Sequence, residues 1–137
     1  AHPILQGVQD IWGPSDVYTV NDLTGDAHVL VWGQVLVGME PTDEPNLDKP
    51  QMPLAWIKTY TGDKRKTSRV FCTTMGASVD LENEGLRRLL VNSCYWCMEM
   101  EDQIPVESQV DYVGEYQPTF FGFGTYQKGM RPSDFSL

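Results

Sequence analysis

The segment EPTDEPNLDKPQMP, Glu40 to Pro53, dictates the layout of this chain, because its four prolines forbid a helix interior or a central strand. It reads as a surface loop. Before it, DVYTV (Asp16 to Val20) alternates and is rich in β-formers, so a short strand is expected. AHVLVWGQVLVGM (Ala27 to Met39) is a longer apolar stretch, with Gly33 marking a bend, a bulge or a hairpin turn. After the loop, LAWIKTY (Leu54 to Tyr60) and SRVFCTTM (Ser68 to Met75) read as strands joined by the polar loop Thr61–Thr67. Val70, Phe71 and Cys72 in succession suit a strand covered on both faces, and Gly76 ends it. The spacing then predicts one long helix, Leu81 to Met100, with Asp80 as N-cap and Glu82 and Glu84 in its first turn. Residues 1–100 thus hold the sheet and main helix. Residues 101–137 form an aromatic, Gly- and Pro-containing tail ordered by packing, with at most a short helix near Val106–Val110.

Charge and composition remove several classes of function. The 137 residues suffice for one domain with a core. Ten Lys and Arg against nineteen Asp and Glu leave a net charge of −9, which argues against nucleic-acid binding. The basic cluster Lys64-Arg65-Lys66 reads as part of a solvated loop. No apolar run approaches the ~20 residues of a membrane span. Three cysteines, an odd count, speak against a disulfide framework. The opening AHPILQG lacks an initiator Met and starts in mid-pattern, as an excised or processed chain would.

The motif CYWC, Cys94 to Cys97, raises redox and metal chemistry and supports neither. On a helical wheel Leu86, Leu89, Leu90, Ser93, Cys94, Cys97 and Met100 share one stripe, so both thiols are expected as buried core residues. Helical neighbours three apart hold their Cβ atoms about 5–6 Å apart, against about 3.8 Å for a disulfide. Redox pairs sit at helix N-termini, whereas this one sits near a C-terminal end beside Glu99 and Glu101. Zinc would need two further ligands that no second CxxC or paired His supplies, so no metal site is expected.

The remaining chemistry is thin. Of the two histidines, His28 lies in a strand-like run and reads as structural, while His2, before a proline, is the better functional candidate. Asp16 and Tyr18 would share one face of a strand, where a carboxylate beside a phenol can serve as an acid–base or sugar-binding pair, or as an ordinary sheet-edge hydrogen bond. Trp12, Trp56, Trp96 and the tail aromatics could stack on a sugar ring or simply fill the core. No G-x-S-x-G elbow, HExxH or phosphate-cradling glycine loop is present, and GFGTYQKG follows no strand and opens no helix.

Taken in order, HPILQGVQDIW…DVYTV, PLAWIKTY, SRVFCTTMGASVDLENEGLRRLLVNSCYW and VDYVGEYQPTFFGFG resemble the ThuA-like (trehalose-utilisation) family along nearly the whole chain. The resemblance implies an α/β fold like that of class I glutamine amidotransferases, a flavodoxin-like, mostly parallel layered sheet flanked by helices. Full members are longer, so the chain looks like the C-terminal portion of such a domain. A lone portion would leave a sheet edge uncovered, which implies pairing with the missing N-terminal half or homo-oligomerisation.

The family is associated with utilisation of trehalose and keto-disaccharides, so the expected ligand is a small-molecule sugar bound at the carboxyl ends of the strands. Matched position by position, the resemblance carries over His2, Asp16 and Tyr18 as catalytic candidates and Trp56 and the Gly76 turn as substrate-binding ones. Ala77 stands where many relatives have histidine, which puts any imidazole mechanism there in doubt. The alternative is a non-catalytic binding module of this fold. Glutamine amidotransferase activity is not expected, since no Cys occupies a strand-to-helix elbow with a following His.

Overall fold

The computed structural model describes residues 1–135, so the last two residues of the tail lie outside it. It is a mixed α/β fold: a three-stranded antiparallel sheet and one α-helix, linked by short 3-10 helices. The strands are β1 (His28–Gly33), β2 (Met52–Thr61) and β3 (Thr67–Thr73), in spatial order β1-β2-β3. The helix, α1, spans Glu84–Cys97.

The expected mostly parallel layer is not what forms, since both strand pairs are antiparallel. For β2 and β3 the reason is the length of their connection. β2 and β3 are joined through Gly62–Lys66, where Gly62 N–H donates to the Lys66 carbonyl and Arg65 takes φ 56°. A parallel pair would need a crossover of a dozen or more residues. The β2–β3 register runs unbroken from Thr61↔Thr67 to Ala55↔Thr73, and Thr74 N–H extends it to the Leu54 carbonyl. Between β1 and β2 the register shifts on either side of Val31, as β-bulges do.

Several elements end where the sequence does not place them. Pro53 belongs to β2 rather than to the loop. β1 stops at the buried Gly33, which packs against Leu54 and Val17 with no room to spare. The Gln34 side chain then donates to the carbonyls of Val35, Asn46 and Lys49 and pins the long loop. The segment Asp16–Val20 forms no strand, because no neighbour bonds its backbone among the described residues. No helix forms at Val106–Val110; the tail holds 3-10 helices at Glu101–Gln103 and Pro132–Phe135 instead.

The helix start also moves. Ser78–Glu82 is a 3-10 helix, and α1 begins only after Asn83, whose side-chain oxygen accepts from Leu86 N–H at 2.9 Å. Asp80 is no N-cap of α1, since its carboxylate turns back to the preceding loop. At the far end Glu99 adopts φ 59° and closes the helix.

The core gathers Ile4, Ala55, Met75, Leu86 and Leu89, with Leu30, Ile57, Phe71 and Trp96 packed around them. α1 lies against β3 and the 3-10 helix Pro3–Leu5. Two buried polar side chains lock the chain start and the segment around Ser108 to this helix. Asn92 donates to the carbonyls of Ile4 and Gln6 and accepts from Ser108 Oγ at 2.7 Å, so its amide is fully used. Arg88 donates to the carbonyls of Gly7 and Ser108 and pairs with Glu84 and Glu107.

The thiols contradict the wheel. Cys94 and Cys97 are exposed, Cys72 is half-buried, and all three are free. The buried face of α1 is Gly85, Leu86, Arg88, Leu89, Asn92 and Ser93. Arg88 and Asn92 are buried because they bond the chain start and the tail, and their inclusion rotates the core stripe away from Cys94. Cys97 lies in the last turn. Although the residue is exposed as a whole, partial burial of the thiol raises Cys97 above its usual value, against a smaller lowering by the Phe71 amide.

Candidate functional site at the carboxyl end of β3

β3 ends in a turn built by its own side chains. Thr73 Oγ1 accepts from Met75 N–H at 3.1 Å and bends the chain out of the sheet. Gly76 follows with φ 156°, a conformation that residues with a Cβ rarely adopt. Asp80, four residues on, is 1% exposed and collects this turn on one oxygen. Its Oδ2 accepts from Gly76 N–H at 3.0 Å, Ala77 N–H at 2.9 Å and Ser15 Oγ at 2.7 Å. Three donors on one oxygen are what a buried carboxylate needs to offset its desolvation.

Oδ1 of the same residue has no partner among the described residues. It faces Gly13, in the loop carrying Ser15, where a Cβ would stand 2.5 Å away, so a side chain there would have to displace Asp80 or Met75. Two stretches 65 residues apart are thereby held together.

Above this junction opens a cleft of about 350 Å³, lined by Pro14, Ser15, Ala77, Ser78, Phe120 and Phe121, among others. None of its lining side chains is charged. Phe120 and Phe121 are 71% and 75% exposed, so their faces are available to a ligand. A second, more open groove of about 620 Å³ surrounds Arg88 at the start of α1. There the guanidinium is already satisfied by two carbonyls and two carboxylates, which leaves little for a ligand to engage.

The residues singled out from the sequence are not brought together. Gly76 lies at the junction. Asp16 directly follows Ser15, is exposed, and makes no side-chain hydrogen bond among the described residues. Tyr18 is 56% exposed and likewise unpaired, so no Asp16–Tyr18 bond exists. Trp56 is in mid-strand, opposite Cys72 and Val29, and β alternation turns it from the side of fully buried Ala55.

His2 stands elsewhere. Its Nδ1 accepts from Ile4 N–H at 3.3 Å, and its ring meets Trp96 edge-on at 5.4 Å. Arg69 lies over the same indole at 5.0 Å and donates to Glu101 at 2.8 Å. Arg69 is near the start of β3 and Gly76 follows its end, so at about 3.3 Å per residue the two lie roughly 20 Å apart along the chain. Burial, then the positive fields of His28 and Arg69, lowers the His2 imidazole below its usual range. The Arg69 hydrogen bond holds the Glu101 carboxyl low.

Of the residues that form the site, the sequence does not single out Ser15, marks Asp80 only as a helix cap, and offers Phe120 and Phe121 only among the tail aromatics that could stack on a sugar. An Asp four residues after a strand-ending Gly is the one signal that could have found the junction. Cys72 sits within β3, not at a strand-to-helix elbow. Among the described residues no three His, Cys, Asp or Glu side chains converge as metal ligands would.

Comparisons of the chain with protein-family models, curated proteins and solved structures return no match.

Proposed function

We propose that the chain is a ThuA-like protein of carbohydrate utilisation that binds or transforms a neutral sugar, trehalose or a keto-disaccharide, in the cleft at the carboxyl end of β3. In this reading the antiparallel strands are one flank of a flavodoxin-like layered sheet. The single supporting observation is the Asp80 junction, which ties Ser15 to the Gly76–Ala77 turn. It draws the DVYTV block and the MGAS block of the resemblance to the rim of one cleft. The chemistry of the walls suits a sugar: exposed phenyl faces for the apolar side of a ring, and no charged side chain that would call for a charged ligand.

Asp16 is the acid–base or hydrogen-bonding candidate, being one residue beyond Ser15. Like Asp16, His2, Tyr18 and Trp56 are not among the residues lining the cleft, but they lack its direct link to Ser15, and the proposal gives them no role in it. Asp16→Ala should weaken binding of a 3-keto disaccharide by about tenfold or more while the protein melts normally. Calorimetric titration decides, and undiminished affinity would remove Asp16 and the proposal with it.

A second reading, a non-catalytic binding module, draws on two observations. The turn presents the methyl of Ala77 rather than an imidazole, and Phe120, Phe121 and 93%-exposed Phe123 display a large apolar surface. Sugar binding without turnover would favour this module.

A further inference from the structure

We infer that Arg87 is a positioning residue for the cleft: it moors the segment 110–121, which carries the aromatic wall. The inference rests on the reading of the cleft as a sugar site. Arg87 projects from the first turns of α1, away from the core face. Its Nε donates to the Val110 carbonyl at 2.7 Å. Its Nη1 donates to the carbonyls of Leu81 and Glu82 and to the Tyr112 hydroxyl, all within 2.9 Å. The guanidinium also lies 4.3 Å from the Tyr112 ring centroid.

From this anchor the segment is fastened at regular intervals. The Tyr112 hydroxyl donates to the Leu81 carbonyl, and its ring stacks on Tyr116 at 4.7 Å. The Tyr116 hydroxyl donates to the Ser78 carbonyl at 2.6 Å, and Ser78 Oγ donates back to the Thr119 carbonyl at 2.9 Å. The next two residues are Phe120 and Phe121. Val110 is the only buried apolar side chain in the segment. Polar ties, not apolar burial, therefore hold the wall in place. Only a planar fork can serve carbonyls on two segments and a ring face at once, so lysine is no substitute.

The test is limited chymotrypsin digestion read by mass spectrometry, with sugar titration of the same variants. In Arg87→Ala, cleavage after Tyr112 and Tyr116 should be about tenfold faster, while cleavage after Tyr95 and Trp96 in α1 stays as in the unaltered protein. Arg87→Lys should release the segment almost as fully. Tyr116→Phe, which leaves α1 untouched, should release its distal part and decides the matter if Arg87→Ala fails to fold. Affinity for a 3-keto disaccharide should fall about tenfold in Arg87→Ala and equally in Phe121→Ala. Phe121→Ala should do so without faster cleavage after Tyr112. Unchanged cleavage in Arg87→Ala and Tyr116→Phe overturns the mooring, and a released segment with full affinity overturns the positioning role. If the unaltered protein binds no such sugar, the site reading fails, while the digestion still decides the mooring.

Discussion

At the residue scale the molecule depends on polar groups whose partners lie far away in sequence. Asp80→Ala would take the acceptor from the Gly76 and Ala77 amides and the Ser15 hydroxyl, so a loss of about 3 kcal/mol is expected, measured from the urea midpoint. Asp80→Asn should cost less, since the amide oxygen can still accept. His2 predicts a pH dependence. Its folded pKa lies below the unfolded 6.5, so the unfolded chain binds more protons between the two values. Its contribution is complete above 6.5 and is lost as pH falls through the folded value. Melting followed from pH 7.5 to 5 should show this decline, reduced in His2→Asn, which can keep the cap on Ile4. The sequence marks Asp80 as a hydrogen-bond acceptor near a helix start. It does not say which amides the carboxylate takes, because that depends on the Gly76 turn and on Ser15 coming from the other side.

At the element scale, the elements with local causes were legible. β2 and β3 follow from β-branched and aromatic runs on either side of a short polar loop, and the middle of α1 from its apolar spacing. What failed needed a partner. Asp16–Val20 alternates as a strand would, but alternation creates a face and not a neighbour, and unpaired backbone stays irregular. The helix wheel erred for a related reason. It left out Arg88 and Asn92, which are buried through bonds to the chain start and to Ser108. The native protein should therefore yield the Cys94 thiol to an aromatic disulfide reagent before unfolding. Cys97 should react with a rate that climbs at higher pH than for an ordinary cysteine, because partial burial of the thiol raises its pKa. Slow modification of Cys94, matching the global unfolding rate, would contradict this surface.

At the scale of the whole molecule, a net charge of −9 on 137 residues means self-repulsion. Raising salt from about 10 to about 150 mM should lift the melting midpoint by about 2–4 °C, as the screening length falls to about 8 Å. A fall would mean that ion pairs such as Arg69–Glu101 outweigh the repulsion. By itself the sequence determined the α/β class, the three main strand segments, the central helix and the proline-rich loop. Each of these follows from steric preference and periodicity within a dozen or so residues. Only the tertiary structure decided that β1 pairs antiparallel with β2, the face that α1 buries, and the meeting of Ser15, Gly76 and Phe121 around Asp80. Those depend on hydrogen bonds between residues tens of positions apart, and no local pattern encodes which distant donor will reach a buried acceptor.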